Sequence, residues 1–131
     1  MVIQAFCNQY QEKNMSTKIY HNPRCSKSRQ TLQLLKDNGI EPEIIEYLKT
    51  PPTETELKAV LNSLDMKPRD LMRKKEAEYR KNNLDDESLS DEELIAAMVK
   101  FPKLIERPIV VTEDKKYALG RPPENVLNII A

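Results

Sequence analysis

Cys25 is the residue whose type and position could do chemistry. It lies in Tyr20-His21-Asn22-Pro23-Arg24-Cys25-Ser26-Lys27-Ser28-Arg29, a polar turn between a short β-forming stretch and an amphipathic one. A thiol at the start of a helix faces unpaired N–H groups and the positive end of the helix dipole. It loses its proton more easily there, and the thiolate is the nucleophile. The same N–H groups can take an oxyanion. His21, four residues earlier, can lower the thiol pKa as a cation or orient the turn through a hydrogen bond. Arg29 adds positive charge and is itself a candidate for holding the substrate. The competing reading of Cys25 is a buried, inert thiol.

The residues after Cys25 narrow the chemistry. The pattern is Cys-x-x-Ser, with Ser28 where a dithiol enzyme would have its second cysteine. An adduct on Cys25 must then be resolved by a thiol from outside or by the remote Cys7. The next arginine, Arg29, comes too early for the phosphate-wrapping Cys-x5-Arg loop of cysteine phosphatases. An oxyanion substrate asks for cationic donors in a fixed fork, which arginine supplies and lysine does not. Arg73, Arg107 and Arg121 are candidates, against the plain reading of each as a surface ion-pair residue.

The elements that must position these residues can be read from periodicity. A strand over 17–20 runs into the turn. A helix over 26–38 carries Leu32, Leu34 and Leu35 on its apolar side, and Asn38-Gly39 ends it. A second strand over 43–47 completes a strand–helix–strand unit, which implies parallel strands with a right-handed crossover. Pro51-Pro52 closes that unit. Thr53 with Glu56, and Ser90 with Glu93, have the capping-box spacing. Leu57, Val60, Leu61 and Leu64 recur at helical spacing and read as core. Pro68 opens a short helix carrying Leu71, Met72 and Arg73. The charged run 76–82 reads as a solvated helix or turn. A β-branched strand over 107–112, entered through Pro108, is succeeded by a turn and a short antiparallel strand over 116–119. Gly120-Arg121-Pro122-Pro123 then leads into a last helix with Val126, Leu127, Ile129 and Ile130 inward. The order predicts an α/β fold: a mixed four-stranded sheet with a helical insertion between its βαβ and ββα halves.

Composition sets the outer limits. The 131 residues suit a single domain over 17–131, preceded by a loosely attached leader over 1–16 that contains Cys7, read as a spectator thiol with a regulatory disulfide to Cys25 as the alternative, and Met15, an alternative start. Lys+Arg and Asp+Glu balance at 21 each, which argues against a nucleic-acid surface. Two glycines leave no glycine-rich nucleotide loop, and two cysteines with one histidine make neither a four-ligand zinc site nor a disulfide framework. No apolar run approaches the roughly 18 residues of a membrane span, and no signal-peptide pattern is read at the N-terminus. The expectation is a cytoplasmic monomer with no bound metal or cofactor.

His-Asn-Pro-Arg-Cys-Ser-Lys-Ser-Arg, with Arg73 in Leu-Met-Arg-Lys, Arg107 in Glu-Arg-Pro-Ile-Val-Val and Arg121 in Gly-Arg-Pro-Pro-Glu, resembles the ArsC-type, glutaredoxin-dependent arsenate reductases, and most of all their short YfgD-like branch. The resemblance implies a thioredoxin-like fold. It implies Cys25 as nucleophile, His21 as thiolate-stabilising partner, Ser28 beside the sulfur, and Arg73, Arg107 and Arg121 as holders of arsenate. Pro108 matches the proline kept cis beside the active cysteine. Glutathione would be co-substrate and glutaredoxin the partner that releases arsenite. The alternatives are a single-cysteine thiol reductase or transferase for another oxyanion or a glutathione conjugate, and a redox regulator of the same fold. The loop departs from the plasmid-type enzymes at Arg24 and Ser26-Lys27, where those have small residues.

Overall fold

The computed structural model describes residues 17–130; the expected leader, with Cys7 and Met15, lies outside the described residues. The chain divides into two compact units. One joins the described residues up to Glu46 with those from Arg107 onward, and the other is Tyr47–Glu106.

The first unit holds the sheet. Strand β1 (Lys18–His21) leads into α1 (Ser26–Asp37) and β2 (Glu43–Glu46), and β3 (Ile109–Val111) and β4 (Tyr117–Leu119) come from the far end of the chain. The strand order is β2-β1-β3-β4. β1 runs parallel to β2 and antiparallel to β3, and β3 runs antiparallel to β4. Parallel neighbours cannot be joined by a hairpin, and α1 supplies the crossover. Ile19, Val110 and Ala118 are cross-strand partners and so share one face of the sheet. They form a core cluster with Leu35 and Val126, against which Leu32, Leu34, Ile40, Ile129 and Ile130 pack. α1 stops where Gly39 takes φ +78°, a left-handed conformation that glycine adopts without penalty. The N–H groups of Gly39 and Ile40 then close on the carbonyls of Lys36 and Leu35.

The second unit is helical: α2 (Glu54–Leu64), a 3-10 turn (Pro68–Leu71), α3 (Ala77–Lys81), α4 (Asp91–Lys100) and a 3-10 turn (Pro102–Leu104). α2 packs on α4, with Leu57, Val60, Leu61, Leu94, Ile95 and Met98 buried. Both capping boxes form with both arms. Thr53 Oγ1 accepts from the Glu56 N–H at 3.1 Å while Glu56 Oε1 accepts from the Thr53 N–H at 3.0 Å, and Ser90 and Glu93 exchange bonds of 3.1 Å each. Thr53→Ala and Ser90→Ala are each expected to lower the unfolding free energy by about 1 kcal/mol. Urea denaturation checks this, and midpoints equal to wild type would refute it.

Three elements differ from the sequence reading. The turn opened by Pro68 ends at Leu71, so Met72 and Arg73 are not helical. Met72 instead forms an isolated antiparallel bridge with Ile105, with the Arg73 N–H donated to Leu104 O at 2.7 Å and the Glu106 N–H to Leu71 O at 2.8 Å. The charged run 76–82 is not merely solvated. Tyr79 on α3 is buried, held by Arg69, whose Nη1 donates to Tyr79 Oη at 2.9 Å and whose guanidinium also reaches the carbonyls of Leu84 and Asp86. The last helix begins as a 3-10 turn (Pro123–Val126) before α5 (Leu127–Ile130). That tighter start turns Leu127 outward, where it is exposed rather than core.

Candidate active site

The turn between β1 and α1 is built by side chains bonding their own backbone. Asn22 Oδ1 accepts from the Arg24 N–H at 3.0 Å, a turn that asparagine favours before Pro23. Asn22 O accepts from the Cys25 N–H at 3.0 Å. Arg29 donates through Nη1 to Pro23 O at 2.8 Å, bracing the turn from the helix. Ser28 is fully buried. Its Oγ accepts the Asn22 N–H at 3.0 Å and lies 2.6 Å from His21 Nδ1. Having accepted from Asn22, the hydroxyl has its own proton to donate, which suits a neutral imidazole accepting at Nδ1.

The surroundings of His21 favour that neutral form. Burial pushes its pKa below the usual 6.5; Glu46 opposes the shift, and the charges of Arg29 and Lys36 add to it. Of the two readings of His21, hydrogen bonding within the loop is the one with a partner in the structure. The unfolded chain therefore binds a proton on His21 at a higher pH than the folded one. Stability is expected to fall as pH drops below 6.5, until the folded-state value is passed. His21→Asn should flatten the difference between urea midpoints at neutral and mildly acidic pH. An unchanged pH slope in this variant would show that His21 is not its source.

Cys25 itself is the N-cap of α1, in extended conformation and without a side-chain capping bond. Partial burial pushes its thiol pKa up. The Ser28 N–H, the charge and hydrogen bonding of Arg107, and the Lys27 N–H pull it down, and the net position is below the ordinary thiol value. The first turn of α1 contains no acidic residue to oppose this. Arg121 Nη1 lies 3.9 Å from Cys25 Sγ and donates to Arg107 O at 3.3 Å. Arg107 Nε is buried and has no hydrogen-bond partner among the described residues, and the guanidinium's charge acts on the sulfur. The site can therefore hold a thiolate and receive an anion next to it.

The first unit thus contains Cys25, His21, Ser28, Arg29, Arg107, Arg121 and Pro108. Arg29 faces a loop carbonyl. The Arg107–Pro108 and Arg121–Pro122 peptide bonds are both cis, and Pro108 O accepts from the Gly120 N–H at 2.8 Å. Arg73 belongs to the second unit, where it pairs with Glu76 at 3.1 Å and Glu106 at 3.3 Å. Sequence reasoning missed Asn22, Thr31, Gly120 and Asn125. Asn22-Pro23 was a turn signal in its own right, and Gly120 is one of only two glycines. Thr31, mid-helix, and Asn125 gave no local signal.

A mixed β2-β1-β3-β4 sheet with a thiol capping the helix after β1 defines a protein of thioredoxin-like fold with one cysteine among the described residues. Residues 20–129 match the ArsC family, and the chain belongs to it. It is 59% identical over 114 residues to the uncharacterized protein YfgD of Escherichia coli K12, covering 86% of this chain and 95% of that one. It is 47% identical over 117 residues to a Haemophilus influenzae protein named arsenate reductase, covering 88% of this chain and all of that one. The solved structure of an arsenate reductase from Vibrio cholerae superimposes with a TM-score of 0.83 at 53% identity, over 88% of this chain and 98% of that one. Among the described residues no helix is long and apolar enough to cross a membrane.

Proposed function

We infer that the protein is an arsenate reductase that draws its electrons from glutathione and glutaredoxin. The observation that carries this reading is a thiol held below its ordinary pKa at the start of α1, with Arg107 acting on its sulfur and Arg121 touching it. The names of its Haemophilus and Vibrio relatives support the choice of oxyanion. Arg107 and Arg121 offset the charge of arsenate, and the resemblance adds Arg73 as a third cation. The Cys25 thiolate forms an S–As bond and an arsenic–oxygen bond breaks, the oxygen leaving as water after protonation. Glutathione adds its sulfur to arsenic and displaces a second oxygen as water. The glutaredoxin thiolate then attacks the glutathione sulfur. A mixed disulfide forms, the electron pair of the broken S–As bond stays on arsenic, and As(V) becomes As(III). Water releases arsenite and returns Cys25 as thiolate. Ser28 fixes the loop around the sulfur, with His21 bonded behind it. No metal or cofactor is required, and the protein acts as a monomer in the reducing cytoplasm.

Arsenate-dependent NADPH oxidation in the presence of glutathione, glutathione reductase and glutaredoxin tests this. Turnover that stops when glutaredoxin is left out is the expected result. No turnover with arsenate in the complete system would overturn the assignment and move it to another oxyanion or a glutathione conjugate.

A further inference from the structure

The geometry points to Asn125 as the positioning residue for Arg121, acting through the backbone of the turn that carries it. This rests on the reading of Arg121 as a holder of the oxyanion beside Cys25. The turn after β4 is Leu119-Gly120-Arg121-Pro122-Pro123. Its two consecutive prolines have no N–H, so the turn has few backbone donors of its own, and the Arg121 N–H is given to Leu119 O at 2.9 Å. Asn125 makes up the shortage. Its Nδ2 donates to Leu119 O at 3.1 Å and to Arg121 O at 3.2 Å, and its own N–H donates to Pro122 O at 3.0 Å. The carbonyls on both sides of Gly120 and Arg121 are thus fastened to one side-chain amide.

The opposite side of the turn is fastened independently. The Gly120 N–H donates to Pro108 O at 2.8 Å, and Thr31 Oγ1 on α1 lies 3.4 Å from Gly120 O. Between these clamps the guanidinium of Arg121 projects to the sulfur and to Arg107 O. An arginine side chain is long and flexible, so where its head group sits depends on how well its Cα and its neighbours are fixed. Asn125 is half-buried, and its amide is spent on the two carbonyls rather than on the sulfur or the guanidinium. Its effect on chemistry therefore runs through Arg121.

The test uses the full chain in a Cys7→Ser background, so that Cys25 is the only thiol. The rate of alkylation by neutral iodoacetamide, at a pH below the thiol pKa, reads the thiolate fraction without needing any substrate. Arg121→Ala is expected to slow it roughly two- to threefold, as befits the loss of a partly screened cation. Asn125→Leu should slow it by a similar factor, and should add nothing further in the Arg121→Ala background, because both act through one group. Asn125→Ala, which removes the amide without adding charge, should behave as Asn125→Leu does, and serves if that variant fails to fold. Wild-type rates in the Asn125 variants, or a double variant slowed by the product of the two factors, would overturn the inference. In a second arm, inorganic arsenate should protect Cys25 from alkylation, at severalfold higher half-protecting concentration in Asn125→Leu. If arsenate does not protect the wild type, the oxyanion reading fails, and the alkylation cycle alone decides the role of Asn125.

Discussion

Cys25→Ser is expected to lose at least about 1,000-fold in arsenate turnover, down to the background of the assay, while the protein folds as well as wild type or slightly better. The two halves of this expectation come from the same place in the structure. Cys25 caps α1 without offering a side-chain hydrogen bond to the helix, whereas serine is among the preferred N-caps and would gain roughly 0.5–1 kcal/mol there. The nucleophile, by contrast, has no substitute. A serine hydroxyl stays protonated even beside the Ser28 and Lys27 N–H groups and Arg107, because an ordinary hydroxyl pKa lies far above an ordinary thiol pKa, and the same neighbours do not close that gap. Thermal melting and the coupled NADPH assay on the same sample separate the effects. Retained turnover in a folded Cys25→Ser protein would remove Cys25 from the mechanism altogether.

Gly120→Ala is expected to destabilise the protein by about 1–3 kcal/mol, a fall in Tm of several degrees. A Cβ added at Gly120 would lie 2.5 Å from Thr31 Oγ1, 3.0 Å from Thr31 Cγ2 and 2.8 Å from Pro108 Cγ. None of these atoms has an easy retreat. Thr31 is fully buried and its hydroxyl is bonded to Lys27 O at 2.8 Å, and the ring of Pro108 is rigid. The strain would push α1, which carries Cys25, away from the turn that carries Arg121, so activity should fall with stability. Thr31→Ala removes two of the three close atoms, and the double variant should be more stable than the sum of the single effects. A Gly120→Ala protein melting with the wild type would mean that this packing is looser than the distances state.

These two residues also mark how far the sequence could be read. Cys25 was legible because its chemistry is local: a thiol, a polar turn and an amphipathic helix occupy a dozen consecutive positions, and helix ends polarise whatever caps them. Strands β2 and β3 were legible for a similar reason, since their β-branched runs, with prolines close by in sequence, leave few alternatives. The capping boxes at Thr53 and Ser90 formed as their spacing required. The illegible part was set by contacts distant in sequence. Thr31 meets Gly120 across 89 positions, and nothing near either residue announces the other. Met72 had the neighbours of a helical residue, but Ile105 offered it a bridge, and the local preference yielded. For His21, local sequence allows both a cation and a hydrogen-bonded neutral form; burial and the nearby Ser28 hydroxyl favour the second.

The three long helices begin in different ways. α2 and α4 open on a hydroxyl cap with acidic residues in the first turn, while α1 opens on Cys25 with none. Acidic side chains at a helix start are stabilising and are among the easiest improvements to find. A laboratory selection for heat resistance alone would therefore be drawn toward aspartate or glutamate at positions 26 and 27. Each such gain would place a negative charge where the incoming anion must sit, so the selected proteins would be sturdier and progressively inert. The weakness of that one helix start is a working tolerance, and it should be left uncorrected in any stabilised version of the protein meant to remain active.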